Sequence, residues 1–133
     1  MKITFLYHSA FMVELEGCTL LFDWYGGTLP DYDREKPLYV LASHHHGDHY
    51  SPEIFTALGM EGVWYVLATC IRLSEKRKKA LGIQEGHVVR VPAGKAIRLG
   101  DLTVSTYRST DAGVAFLVEA EGKRIFHSGD FHW

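Results

Sequence analysis

Four histidines and one aspartate occupy six consecutive positions, residues 44 to 49, in the first half of the chain. Imidazole and carboxylate groups bind divalent metal ions, and this combination suits zinc as well as iron or manganese. The cluster directly follows the apolar run Leu38–Ala42, which predicts a buried strand. Because open α/β folds bind ligands at the carboxyl ends of their strands, this position favours a metal site.

The spacing within the cluster indicates which side chains act together. In an extended segment alternate side chains point the same way, so His44 and His46 can bind one ion while His45 points elsewhere. The glycine that follows lets the backbone turn, which brings Asp48 and His49 towards a second point close by. No thiolate is expected within reach to make the site selective for zinc. A surface loop of histidines is the alternative, although expression tags lie at chain ends and lack the Gly-Asp-His sequence.

The pattern His-x-His-x-Asp-His, formed by His44, His46, Asp48 and His49, resembles the signature of the metallo-β-lactamase superfamily. Within that superfamily the chain is most similar to small bacterial metal-dependent hydrolases related to the L-ascorbate-6-phosphate lactonase. The resemblance implies a fold of the α+β class, a four-layer αββα sandwich with a dinuclear metal site at the edge between two sheets. It also implies hydrolysis, without indicating which bond is cleaved.

The resemblance adds two carboxylates from the last third of the chain. In the superfamily a Gly-Asp pair after a strand supplies the carboxylate that bridges both metals, and Asp130 matches it at the end of Arg124-Ile125-Phe126-His127-Ser128-Gly129-Asp130. Relatives usually carry a further histidine ligand before the strand that begins at Val114, where this chain has none. Asp111 is the replacement ligand nearby, and a turn or N-cap role is its alternative.

The resemblance also implies a division of roles among these side chains. In such a site the pKa of a shared water molecule falls, so that hydroxide can attack an ester, lactone or phosphoester. Asp48 is the expected catalytic residue, because it can orient this water and accept its proton. The expected cofactors are two divalent metal ions, with zinc first and iron or manganese as alternatives. The first ion is assigned to His44, His46 and Asp111, the second to Asp48 and His49, and the bridge to Asp130.

Apolar periodicity predicts the elements that position these residues. Asp23 ends a strand and resembles the aspartate that relatives keep there to brace the metal loop, with a strand-end cap as the alternative. Ser51-Pro52-Glu53 predicts a helix start with Ser51 as the N-cap. Strands are expected at residues 2–7, 11–16 and 18–24, as an antiparallel meander, and at 38–42, 63–68, 88–91, 96–99, 102–108, 114–119 and 124–126; a second helix is expected between Ser74 and Gly82.

Length and composition limit the classes of protein that fit. With 133 residues, 47% of them hydrophobic, the chain is predicted to form a single domain over residues 1–133. A formal net charge of −2 and the lack of a basic stripe argue against a nucleic-acid partner. Without a signal-like start or a membrane-length apolar run, we expect a cytoplasmic protein with a small-molecule substrate and no membrane partner. Cys18 and Cys70 are expected to be free thiols.

The chain ends three residues after Asp130, whereas the relatives continue through a second ββα half. We therefore expect only the N-terminal half to two-thirds of the sandwich. A partial sandwich exposes an apolar sheet face and strand edges, which predicts self-association. The favoured function is a metal-dependent hydrolase. A non-catalytic metal-binding or assembly module is the alternative, and an RNA-processing nuclease is a third reading that the acidic balance disfavours.

Overall fold

A computed structural model describes residues 1–109 and 113–129 of the chain. Within these residues the chain forms ten strands and two short helices in two sheets. The first sheet contains β1 (Lys2–Tyr7), β2 (Ala10–Glu14), β3 (Thr19–Phe22), β4 (Leu38–Ala42), β5 (Val63–Ala68) and β6 (Val88–Val91). The second sheet contains β7 (Ala96–Leu99), β8 (Leu102–Arg108), β9 (Val114–Ala120) and β10 (Lys123–His127), and the helices are α1 (Glu53–Leu58) and α2 (Glu75–Ala80).

The first sheet changes from antiparallel to parallel at its third strand. Strands β1, β2 and β3 pair as the predicted antiparallel meander, and β3 to β6 then run parallel in chain order. Parallel neighbours need a crossover connection, which α1 provides from β4 to β5 and α2 provides from β5 to β6. The parallel arrangement places the carboxyl ends of β3, β4 and β5 at one edge of the sheet, and Phe22 lies opposite Leu41 there.

Two hydrophobic layers hold the sheets and helices together. One layer lies between the sheets and joins Phe22 and Val66 of the first sheet to Val104 and Phe116 of the second. The other layer lies on the opposite face of the first sheet, where α1 contributes Ile54 and Phe55. The strands β3 and β4 are buried along their whole lengths, as expected of strands covered on both faces. The layers of helix, sheet and sheet agree with the predicted α+β class.

The helix starts agree with the sequence in one case and differ in the other. Ser74 is the N-cap of α2 as predicted, and its hydroxyl accepts a hydrogen bond from the amide three residues later. The prediction that Ser51 is the N-cap of α1 is wrong, because Pro52 occupies that position without a side-chain cap. Ser51 contributes one long bond, 3.3 Å, from the Glu53 amide to its hydroxyl.

Large apolar side chains remain exposed on the two outermost strands. Ile3 and Phe5 of β1 are 57% and 60% exposed, and Phe126 of β10 is 60% exposed. Both strands are edges of their sheets, so this region offers apolar surface beside unpaired backbone groups. This exposed surface would favour self-association, which stays a prediction. Among residues 1–109 and 113–129, the helices are too short to span a bilayer.

We predict that Phe116→Ala lowers the free energy of unfolding by about 3–5 kcal/mol, because it empties a fully buried site between the sheets. Phe126→Ala is the matched control on the neighbouring strand and should change stability by less than about 1 kcal/mol. Chemical denaturation followed by circular dichroism measures both. Equal losses in the two variants would contradict the assignment of the inter-sheet core.

Candidate metal centre

The histidine-rich loop folds back on itself as soon as it leaves β4. The backbone amides of His49 and Tyr50 both donate to the His46 carbonyl, at 2.9 and 3.0 Å. The chain already bends at His45 and His46, just before this turn, and one ligand atom from each of His44, His45 and His46 lies within 4.8 Å of the others. The expectation that His45 points elsewhere is therefore wrong, since it assumed an extended segment where the chain bends.

The ligands expected from this loop lie close together but differ in exposure. The rings of His44 and His46 have centroids 4.0 Å apart, and the His49 ring lies 5.8 Å from that of His44. His44 and His49 are buried, whereas His46 is exposed. The Asp48 side chain is 60% exposed and places Oδ1 3.6 Å from His49 Nε2. The loop thus contains two buried imidazoles, one exposed imidazole and one exposed carboxylate.

Asp23 is the residue that fixes both ends of this loop. Its fully buried carboxylate accepts the backbone amide of Ser43 on Oδ1 at 2.7 Å and the Ser43 hydroxyl on Oδ2 at 2.6 Å. The same Oδ2 lies 2.7 Å from His49 Nδ1. A hydrogen bond from Nδ1–H to this carboxylate selects the tautomer in which Nε2 is the metal-binding atom. The geometry therefore agrees with the orienting role expected for Asp23.

The backbone of Asp23 adopts the conformation that this role requires. Its φ is 50°, in the left-handed region, where aspartate is one of the residues that are tolerated. Its amide donates to the Leu41 carbonyl at 2.8 Å, which extends the pairing of β3 with β4 by one residue. The carboxylate is thereby held at the common edge of the two strands.

Two glycines of the second sheet pack against the start of the metal loop. A Cβ at Gly113 would lie 2.6 Å from the Ser43 carbonyl oxygen and 3.1 Å from His44 Nδ1. A Cβ at Gly129 would collide with the Val114 carbonyl and lie 3.1 Å from the Ser43 Cβ. The Val114 amide also donates to the Ser43 carbonyl at 2.9 Å. The backbone can come this close at both positions only because glycine has no side chain.

The two remaining predicted ligands, Asp111 and Asp130, lie outside the described residues, and so does His132. Their roles stay predictions. His127, which precedes Asp130, places Nε2 2.7 Å from the Ser9 carbonyl oxygen and accepts the Gly129 amide on Nδ1 at 3.1 Å. Its ring is engaged by these two backbone groups, and its Nε2 is 4.0 Å from Asp23 Oδ2.

A thiol lies within reach of the cluster, contrary to the sequence-based expectation. Cys70 Sγ is 3.7 Å from His44 Nδ1. The reason is the parallel pairing of β4 with β5, which aligns Ala42 with Leu67 and so makes the residues after both strands neighbours. Burial raises the pKa of the Cys70 thiol, which favours its neutral form. Both cysteines are free, as predicted.

A cavity of about 510 Å³ opens beside the cluster and gives it access to solvent. Its walls include Tyr50, whose hydroxyl has its pKa raised to about 12 by burial. The loop after β5 forms the other side. The lining residues are His45, Tyr50, Cys70, Ile71 and Arg72.

The described side chains fit a divalent metal ion. Three imidazoles supply nitrogen ligands within one coordination sphere of each other, and Asp48 supplies oxygen nearby. This donor set suits zinc, iron and manganese. The pairing of a buried carboxylate with His49 is the arrangement that commonly orients a histidine ligand.

Comparison with known proteins places the chain in a family. A family model described as "Beta-lactamase superfamily domain" matches residues 2–133, and the chain belongs to this superfamily. A metal-dependent hydrolase of Carboxydothermus hydrogenoformans is 34% identical over 143 residues, which cover 98% of this chain and 62% of that protein. The chain spans about 61% of the length of three other curated relatives, from Pyrococcus abyssi, Pyrococcus furiosus and Pyrobaculum neutrophilum.

Solved structures with low sequence identity share the fold. A diiron β-hydroxylase of Streptomyces venezuelae superposes with a TM-score of 0.71 at 15% identity, over 97% of this chain and 29% of that chain. A metallo-β-lactamase fold protein of Bacillus subtilis superposes with a TM-score of 0.56 at 12% identity, over 88% of this chain and 52% of that chain. These similarities confirm the predicted metallo-β-lactamase-like sandwich and carry no statement about activity.

We predict that Gly113→Ala destabilises the protein by about 1–3 kcal/mol and weakens metal binding, because its methyl group would push against Ser43 and His44. Gly47→Ala, inside the metal loop, is the matched control. It has no atom within 4 Å of the added Cβ and no left-handed φ, so its stability should stay within about 0.5 kcal/mol. Thermal unfolding and metal titration check both variants. A tolerated Gly113→Ala would contradict the close approach described here.

We also predict that Asp23→Asn reduces metal affinity by about 10- to 100-fold while the chain still folds, since asparagine tolerates the same backbone conformation. The amide cannot accept from Ser43 and His49 as the carboxylate does. Competition with a chromophoric chelator measures the affinity for zinc. Asp101→Asn, at an exposed position, serves as the control and should behave like the unaltered protein.

Proposed function

We propose that this chain forms the metal-binding part of a hydrolase that uses two divalent metal ions to cleave an ester, lactone or phosphoester bond. The close grouping of His44 and His46, whose rings lie 4.0 Å apart, beside the Asp23–His49 pair is the observation that carries the proposal. It is supported by relatives that are named metal-dependent hydrolases.

The proposed ligands divide into two groups within the loop. His44 and His46 hold the first ion, and Asp48 and His49 hold the second. Zinc is the proposed metal, with iron or manganese as alternatives that the same nitrogen and oxygen donors accept. Bound ions of this kind supply Lewis acidity, which lowers the pKa of water and stabilises negative charge on a substrate oxygen. Asp130 as the bridging ligand and Asp111 as a ligand of the first ion complete the proposed set.

The residues of the chain contribute positioning and proton transfer. Asp23 holds His49 in one orientation, and the same carboxylate holds Ser43 at the base of the loop, next to His44. The exposed carboxylate of Asp48 can orient a water molecule and accept its proton. Burial of His44 and His49 leaves these two ligands little freedom to move, so little ordering is needed when substrate binds.

The test combines metal analysis with hydrolysis. Protein purified without added metal should contain two metal equivalents and cleave at least one of p-nitrophenyl acetate, a γ-lactone and bis(p-nitrophenyl) phosphate. Removal of the metal by a chelator should abolish turnover, and zinc, iron or manganese should restore it. Metal binding without hydrolysis of any such substrate would instead favour a non-catalytic metal-binding or assembly module.

Within that test we predict that Asp48→Asn lowers kcat by about 10²- to 10⁴-fold with the metal retained in part, because a proton acceptor is lost. His46→Ala should reduce the metal content itself, because it removes a ligand. His87→Gln is the control, since His87 lies before β6 at the opposite edge of the sheet and contacts the Val63 carbonyl. Unchanged turnover in Asp48→Asn would rule out its catalytic role.

A further inference from the structure

Arg72 lines two neighbouring recesses beside the candidate metal centre, and Arg90 lines one of them. Arg72 forms part of the cavity that also contains His45 and Cys70. The same side chain lines a neighbouring recess of about 500 Å³ together with Thr69, Leu73, Ser74 and Arg90. Arg72 is therefore the shared wall between the histidine cluster and this second recess, which we call the arginine recess.

Arg90 fixes the loop that carries Arg72. Its Nε donates to the Ile71 carbonyl at 2.9 Å, and a terminal nitrogen donates to the Thr69 carbonyl. Arg90 lies on β6 opposite Leu67 of β5, so these bonds tie the loop after β5 to the neighbouring strand. A guanidinium group has five N–H donors, and these two bonds leave others available to a ligand.

The residues that line the arginine recess supply hydrogen-bond donors and include no carboxylate. Among residues 1–109 and 113–129, no carboxylate forms a salt bridge with Arg72 or Arg90. The nearby Glu75 of α2 lies 3.3 Å from Lys78 instead. The hydroxyl of Ser74 accepts the amide that it caps and can still donate its own proton. An anion is the ligand that this set of groups can satisfy.

We propose that the arginine recess binds an anionic group of the substrate, a carboxylate or a phosphate, while the scissile bond lies at the histidine cluster. Guanidinium groups recognise both anions through paired hydrogen bonds, which makes arginine well suited to this task. The proposal rests on the hydrolase function proposed above and adds the substrate class to it. The substrate is then an ester, lactone or phosphoester that carries a negative charge beside the bond to be cleaved.

The first experiment measures anion binding without hydrolysis. The protein, freed of metal by a chelator, is titrated with inorganic phosphate and separately with acetate. Nuclear magnetic resonance follows the backbone amides of residues 69 to 74. We expect saturable shifts at these amides, about tenfold weaker binding in Arg72→Gln and partial recovery in Arg72→Lys. Arg98→Gln, on the exposed face of β7, should bind like the unaltered protein.

The outcomes separate this proposal from the proposed function. The two anions report whether a phosphate or a carboxylate is preferred, and equal binding in Arg72→Gln and the unaltered protein would overturn the proposal.

A second experiment compares the hydrolysis of a carboxylated ester with that of its neutral counterpart by the metal-loaded protein. Arg72→Gln should raise KM about tenfold for the charged ester alone. If no ester is cleaved, the hydrolase function fails, while the phosphate and acetate titrations still decide whether the recess binds anions. Arg72 makes no side-chain hydrogen bond within the described residues. The thermal unfolding midpoints of Arg72→Gln and the unaltered protein should therefore match.

Discussion

One buried carboxylate organises the candidate metal centre. Asp23 is fully buried, and burial of a charge is unfavourable unless hydrogen bonds replace the lost water. Three donors do so here, and they come from Ser43 at the start of the histidine-rich loop and from His49 at its end. With both ends fixed to one carboxylate, the residues between them must form a compact turn. The convergence of His44 with its neighbours follows from that constraint.

The same edge of the first sheet joins the second sheet to the site. The Ser43 carbonyl accepts the Val114 amide, and Gly113 approaches that carbonyl so closely that it cannot carry a side chain. Gly129, whose Cβ would collide with the Val114 carbonyl, also packs against Ser43. Ser43 therefore contacts Asp23 through its amide and hydroxyl, and contacts the second sheet through its carbonyl. A disturbance of the inter-sheet packing would reach the metal loop through Ser43 and through His44, against which Gly113 also packs. We infer that stability of the sandwich and metal affinity are coupled.

Sequence reasoning located the strands within two residues at each end because apolar alternation and turn residues mark them directly. It also placed the histidine-rich loop at the end of β4, since residue type and spacing are local properties. It failed for His45 because an extended backbone was assumed where the chain bends. It missed Cys70 because the contact with His44 depends on the parallel pairing of β4 with β5, which no local pattern encodes. The arginine recess depends on the parallel pairing of β5 with β6, which no local pattern encodes either.

The most direct test of this account is the tautomeric state of His49. A long-range ¹H–¹⁵N correlation spectrum of the metal-free protein resolves protonated from unprotonated ring nitrogens. The buried Asp23 carboxylate predicts that His49 carries its proton on Nδ1, in a hydrogen bond to Asp23, so that Nε2 is the metal-binding atom. A proton on Nε2 with an unprotonated Nδ1 would contradict it, because Asp23 could then neither accept from this ring nor hold the end of the loop.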